Sequence, residues 1–211
     1  MSGMDEKLIQ YTHTLAKPFQ TEKVYFVHII PDFTLPEKQK QEFMQLFAPD
    51  KPLDEVVQAK LANDVKTVFS DNGIETSVEV REGKPYEKLI HWTKVRQADL
   101  LIVGNKNQSE GSGITGRRVA RKTPSNVLFL TEKAALPIRE IIVPLDLSDD
   151  SAHALQTALQ LRHHNPAIKI SIFIVVDVPS TVYPINMHRS RLVEVLKEKD
   201  FQLLAKCLKN Y

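Results

Sequence analysis

The chain has 211 residues, enough for one large domain or two small ones. Hydrophobic residues make up 42% and charged residues 26%, which excludes a disordered chain, and the net charge of +2 predicts no general attraction to nucleic acids or membranes. The single cysteine, Cys207, excludes an intramolecular disulfide and a cysteine-based zinc site, and it favours a reducing compartment. The N-terminus has no signal-peptide pattern, and no apolar run reaches the ~18 residues that a membrane span needs. We therefore expect a cytoplasmic protein.

Helical and strand patterns alternate along the first part of the chain. Apolar residues at helical spacing predict a helix over 5–16, and an apolar run of strand length follows at 24–30. A second helical stripe ends at Asn72-Gly73, and Pro85 stands in the predicted first turn of a third helix. The predicted strands are 23–30, 74–81, 99–103 and 126–130. Continuous apolar strands that alternate with helices indicate one parallel sheet covered on both faces, so the predicted class is α/β.

An internal repeat extends this pattern into the second part of the chain. Lys23 and Lys169 begin similar strands 146 positions apart, and the helical segments before them keep the same offset. The second copy opens with a strand at 140–145 that has no counterpart in the first copy, and it ends with a predicted helix over 192–208. We interpret the chain as a piece of a tandem protein. Its predicted divisions are a domain over 1–132 that lacks its first strand, a linker over 133–138, and the first half of a second domain over 139–211.

Three segments resemble a known family. Residues 82–106, EGKPYEKLIHWTKVRQADLLIVGNK, are similar to the universal stress protein family, in which Gly-x-Pro begins a helix that leads into an Ala-Asp-Leu-Ile-Val-x-Gly strand. The segments IIVPLDLSDDSAHALQTAL and PSNVL resemble the family's first strand and helix and the approach to its last strand. The resemblance implies a flavodoxin-like, Rossmann-like parallel sheet in the strand order 3-2-1-4-5, with helices on both faces. It also implies dimers or tandem pairs, an adenine-nucleotide site in some members, and regulation more often than catalysis.

A glycine-rich loop follows the third predicted strand. In ATP-binding members of the family this loop reads Gly-x2-Gly-x9-Gly-Ser/Thr, and its glycines let backbone N–H groups approach the phosphates. Gly104 matches the first glycine and Asn107 replaces the second, while Gly113 matches the third and is followed by Ile114. A second register, which ends at Gly116, departs from the motif as well. The loop fits an anion site and a flexible connector equally well.

The other half of the nucleotide site falls in the second copy. Asp146 ends the strand at 140–145, where the resemblance implies a contact with the nucleotide. The alternative interpretation is a turn residue that supports the following helix. The first copy thus has the glycine loop without the aspartate, and the second copy has the reverse defect. The candidate nucleotide-binding residues are Gly104, Gly111, Ser112, Gly113, Thr115 and Asp146.

Four cations, Arg117, Arg118, Arg121 and Lys122, form a basic cluster after the loop. The alternatives are a phosphate or nucleic-acid contact and a solvated helix face, and the lack of interleaved aromatic residues favours the solvated face. No metal site and no resident cofactor are predicted. ATP is the one ligand left open, and the damaged loop predicts binding no tighter than about millimolar, because two or three lost hydrogen bonds of roughly 1.5–3 kcal/mol each weaken affinity more than a hundredfold.

The leading hypothesis is a non-enzymatic regulatory protein of universal stress type that acts through dimerisation, with at most weak nucleotide sensing. The first strand is central in the family's order, so its absence predicts free inner edges on the strands at 23–30 and 99–103, and hence a homo-oligomer. No nucleic-acid or membrane partner is expected. The alternatives are an ATP-binding member with slow ATPase activity and a soluble regulatory domain of a transporter.

Overall fold

Helices and parallel strands alternate in the computed structural model of the chain, which describes residues 3–30, 53–71, 73–105, 114–146 and 148–174. Contacts divide the chain into two units, Met1–Ala135 and Leu136–Tyr211. The helix predicted over 192–208 and Cys207 lie outside the described residues. The domain boundaries predicted from the repeat stay a prediction.

The first unit contains the predicted elements in the predicted order. In chain order they are α1 (Gly3–Ala16), β1 (Lys23–Ile30), α2 (Leu53–Phe69), β2 (Glu75–Glu82), α3 (Pro85–Val95), β3 (Leu100–Asn105), α4 (Ile114–Lys122) and β4 (Asn126–Thr131). The Gly-x-Pro motif has a local structural cause. Gly83 has a φ of 134°, which side-chain-bearing residues rarely adopt, and it turns the chain from β2 toward α3, where Pro85 begins the helix.

Strand pairing in the first unit differs from the predicted single sheet. β1 pairs in parallel with β2, and β3 pairs in parallel with β4, as two separate two-stranded sheets. The expectation of one four-stranded sheet is therefore wrong. The physical reason is that β1 and β3 are not hydrogen-bonded to each other, so only a strand between them could join the two pairs, and none of the strands within the described ranges occupies that place.

Helices cover both faces of these strands. Ile9 of α1 forms a core cluster with Leu61, Val65 and Phe69 of α2, against which Val24 and Phe26 of β1 pack. Side chains alternate along a strand, so Tyr25 lies on the opposite face.

On that opposite face, the ring of Tyr25 lies 6.3 Å from the ring of Trp92 in α3. The pair α1 and α2 therefore covers one face, and α3 covers the other. This arrangement confirms the α/β class with helices on both sides. Full burial of each large side chain in the core contributes roughly 1.5–3 kcal/mol.

The second unit begins with β5 (Glu140–Leu145), α5 (Asp149–His164) and β6 (Lys169–Ile174). β5 and β6 pair in parallel, in register from Glu140 with Lys169 to Leu145 with Ile174, which confirms the predicted parallel pairing. Their core face packs on α5 through Val143, Leu145, Leu155 and Ala158.

Candidate functional site

Gly104 lies at the carboxyl end of β3, the end at which open α/β sheets bind ligands. A Cβ atom placed on Gly104 would lie 2.8 Å from Cγ of Met4 and 3.4 Å from Cδ1 of Leu8. Both of these residues belong to the first turns of α1. Close packing of α1 on β3 therefore accounts for glycine at position 104 without any ligand.

Gly116 lies inside α4, not in the loop before it. A Cβ atom on Gly116 would lie 2.6 Å from Cε1 of Phe129 in β4, so this glycine serves helix packing. The described part of this helix is Ile114–Lys122. The register that uses Gly116 therefore places its last glycine inside the helix, and Gly113 lies outside the described residues.

The remaining candidates of the first unit are Gly111, Ser112, Gly113 and Thr115. Thr115 is the second residue of α4. Gly111, Ser112 and Gly113 lie outside the described residues.

Asp146 belongs to the second unit and is exposed at the end of β5. Its Oδ1 accepts hydrogen bonds from the backbone N–H of Ser148, at 3.0 Å, and from the Ser148 hydroxyl. The Ser148 Oγ in turn accepts from the N–H of Ser151 at 3.2 Å, which caps α5. The Ser148 hydroxyl, followed by the Ser148 N–H, lowers the pKa of Asp146 by bonding to its ionised form. These contacts match the interpretation of Asp146 as a turn residue that supports the helix.

In the part of the chain that the structure describes, no group of three or more His, Cys, Asp or Glu residues is arranged to hold a metal ion. None of the helices in that part is long and apolar enough to cross a membrane.

A cluster of charged and aromatic side chains connects α3 with α4, and the sequence analysis missed it. Glu87 Oε1 accepts a hydrogen bond from the Tyr86 hydroxyl at 2.7 Å and lies 3.6 Å from Nζ of Lys84. The Tyr86 hydroxyl lowers the pKa of Glu87, and the charges of Lys84 and Lys122 lower it further. Cζ of Arg118 lies 5.3 Å from the centre of the Tyr86 ring. An aromatic ring therefore does accompany the basic cluster, but it comes from another helix, which linear spacing did not reveal.

A second group of cations stacks on aromatic rings where α3 meets β1. Cζ of Arg96 lies 4.9 Å from the ring centres of both Tyr25 and Trp92. Arg81 approaches Trp92 at 5.9 Å. The spacing of Trp92 and Arg96, four residues apart, places both on one side of α3 and its C-cap and was the only signal available in the sequence.

One of three solved structures that are similar to this chain supports the fold, with a TM-score above 0.5. A universal stress protein from Archaeoglobus fulgidus DSM 4304 is 15% identical, with a TM-score of 0.62 over 95% of this chain and 70% of that chain. Another, from Archaeoglobus fulgidus in complex with dAMP, is 14% identical with a TM-score of 0.41 over 61% of this chain and 89% of that one. A family protein from Arabidopsis thaliana with AMP bound is 12% identical with a TM-score of 0.40, over 69% and 83%.

Sequence comparison bears on the family itself. A search of curated proteins finds no match. The sequence model of the universal stress protein family matches residues 2–130, which is more than half of the chain. This chain belongs to the universal stress protein family.

Proposed function

We propose that this protein is a regulatory member of its family that acts through self-association and binds adenine nucleotides weakly at most. The observation that carries the proposal is the pairing of β1 with β2 alone and of β3 with β4 alone within the described residues. Strands with an unpaired edge accept a strand from another chain, because their N–H and C=O groups remain available.

The direction of each free edge follows from the hydrogen bonds of its partner strand. The N–H groups of Glu75 and Gly83 donate to the carbonyls of Glu22 and Ile30, at 3.1 and 3.0 Å. Alternate residues of a strand bond to opposite sides, so the even-numbered residues of β1 face β2 and the odd-numbered ones face the other edge.

In the second pair of strands, the N–H of Asn126 donates to the Asp99 carbonyl at 3.0 Å. The odd-numbered residues of β3 therefore face β4, and Leu100, Ile102 and Gly104 direct their N–H groups to the free edge. A second copy of the chain, related by a twofold axis, offers the same edges for pairing.

Self-association through these edges is tested by amide hydrogen exchange across a range of concentrations of the whole chain, together with light scattering. We expect an oligomer in which the N–H groups of Tyr25, Val27 and Ile29 exchange more slowly as the concentration rises. The N–H groups of Val24 and Phe26 serve as internal controls, because their bonds to β2 exist in every state. A monomer at all concentrations, or an oligomer in which all five amides exchange at constant rates, would contradict the proposal.

Weak nucleotide binding is supported by what Gly104 and Asp146 do in the structure. Packing against Met4 explains why position 104 is a glycine, and Oδ1 of Asp146 already accepts hydrogen bonds from Ser148. Calorimetry with MgATP should show no binding tighter than about millimolar, in line with the loss of two or three bonds of roughly 1.5–3 kcal/mol each. ATP hydrolysis should not exceed background.

One observation favours the alternative, an ATP-binding member. The glycine-rich segment precedes the helix α4 in the sequence, and a helix after such a segment suits phosphate binding. Micromolar affinity for MgATP that disappears in Gly113→Val would establish this alternative. The same affinity in wild type and Gly113→Val would locate the nucleotide away from this loop.

A further inference from the structure

The exposed side of α4 is uniformly cationic. Val119 is fully buried and Gly116 packs on Phe129, so these residues define the inner side of the helix. The outer side carries Arg117, Arg118, Arg121 and Lys122, all of them exposed. Two pairs at positions i and i+4 make this a compact positive surface with no acidic residue in the helix to balance it.

The neighbouring helix enlarges this surface. The Thr123 hydroxyl, just after α4, donates to the Thr93 hydroxyl of α3 at 3.0 Å, and Arg118 stacks on Tyr86, so the two helices lie side by side. We define the α3–α4 basic surface by its eight basic residues, Lys84, Lys88, Lys94, Arg96, Arg117, Arg118, Arg121 and Lys122.

Charge is strongly segregated onto the α3–α4 basic surface. Glu87 is the one acidic residue within these two helices and the two cap residues of α3, Lys84 and Arg96. The whole chain has 28 basic and 26 acidic residues, so removal of this surface leaves 20 basic and 25 acidic residues. The net charge of +2 therefore conceals a positive surface on a chain that is otherwise acidic.

Within the described residues, the ion pair of Glu87 with Lys84 leaves most of the surface positively charged. Glu87 accepts a hydrogen bond from Tyr86 and lies beside Lys84. Arg117 and Arg121 have no acidic neighbour within α4. Aromatic rings hold two of the guanidinium groups, Arg96 between Tyr25 and Trp92 and Arg118 over Tyr86. Held guanidinium groups lose less conformational freedom when they bind an anion.

We propose that the α3–α4 basic surface binds the phosphate backbone of nucleic acids without sequence preference. Four of its eight cations are arginines, whose planar fork donates two parallel hydrogen bonds to a phosphate. The rings of Tyr86 and Trp92 are already covered by guanidinium groups, so bases gain no stacking platform and only the backbone is recognised.

Other anionic partners fit this surface less well. A membrane-bound helix needs several large apolar side chains beside its cations. Among the described side chains of this surface, Ala120 of α4 is small and Val95 of α3 is exposed singly among cations. A protein interface has an apolar centre with a polar rim, whereas here cations occupy the centre. Net charge and linear spacing alone predicted no nucleic-acid partner, because neither reveals this surface. Nucleic-acid binding by the surface does not depend on the proposed self-association.

The test is fluorescence anisotropy of a labelled DNA duplex of mixed sequence, titrated with the whole chain between about 50 and 200 mM salt. We expect binding that weakens steeply with salt, with a slope in log K against log[salt] of about −0.9 for each phosphate contacted. The double variant Arg117→Gln/Arg121→Gln should weaken binding to all sequences equally and reduce the slope by about 2. Arg117→Lys/Arg121→Lys, which keeps the charge, should retain the slope.

The matched control is Lys60→Gln/Lys66→Gln, which removes the same charge from two exposed residues of α2 on the opposite face. Equal weakening by both glutamine variants would overturn the proposal, because net charge alone would explain it. No binding of the duplex in low salt would overturn it as well. Binding to phosphatidylserine vesicles in the absence of duplex binding would assign the surface to membranes instead. Trp92 fluorescence checks that each variant is folded.

Discussion

Replacement of Gly104 by alanine separates a packing role of this glycine from a role in a phosphate loop. The added methyl group would lie 2.8 Å from Cγ of Met4, which is nearly fully buried, so α1 or its methionine must move. Overpacking of this kind costs about 1–3 kcal/mol, and the lower backbone entropy of alanine in the unfolded chain offsets about 0.5–1 kcal/mol. We expect a net loss of about 1–2 kcal/mol in the free energy of unfolding.

A double-mutant cycle with Met4→Ala identifies the cause of this loss. Met4→Ala alone removes a buried side chain and should cost about 2–5 kcal/mol. In the Met4→Ala variant the Cγ of residue 4 is absent, so the added Cβ at position 104 no longer collides with it. Gly104→Ala should then be neutral or slightly stabilising. The two changes should therefore be coupled by about 1.5–2.5 kcal/mol, within the range known for residues in contact.

The assay is urea unfolding followed by the fluorescence of Trp92, the only tryptophan, which lies in the same unit as Gly104. Leu8→Ala is the matched control, since Leu8 lies farther from the added methyl group, at 3.4 Å, and should couple more weakly. Additive effects of Gly104→Ala and Met4→Ala would refute the packing explanation and leave close approach of a ligand as the reason for glycine.

Two further predictions concern the turn that begins α5. Ser148→Ala removes the hydroxyl that caps the helix at the Ser151 N–H and should lower the free energy of unfolding by about 1 kcal/mol. Urea unfolding followed by far-ultraviolet circular dichroism measures this loss. The control is Thr157→Ala, which removes an exposed hydroxyl within the same helix and should lower the free energy of unfolding clearly less. The pKa of Asp146 is lowered in the folded state, so its contribution to stability is complete above its unfolded pKa of about 3.9 and disappears as the pH falls through the folded value. Asp146→Asn should thus be less stable than the wild type at neutral pH, and its urea midpoint should fall less as the pH is lowered below about 4. The same fall of the midpoint in both proteins would show that Ser148 does not hold the carboxylate in solution.

The sequence alone determined the type and order of the secondary structure elements. The described strand β1 has the bounds predicted from the sequence, 23–30, and α3 begins at the proline of the Gly-x-Pro motif. Hydrophobic periodicity and turn residues act over a few neighbouring positions, so a single sequence contains this information in full. The family resemblance depended on the same local segments, and the match over 2–130 confirmed it.

Only the tertiary structure decided which elements meet. A strand's own pattern says that it is buried, but not which neighbour donates its hydrogen bonds, so the two parallel pairs could be expected only from the strand order that the family resemblance implies. The glycines of the predicted loop show the same limit. Gly104 packs against Met4 and Gly116 packs against Phe129, and neither contact can be read from the neighbouring sequence. Arg118 over Tyr86 is a third case, since two helices must lie side by side before a ring and a cation can stack. In each case the contact joins parts of the chain that only folding brings together, so the spacing of residues along the sequence cannot predict it.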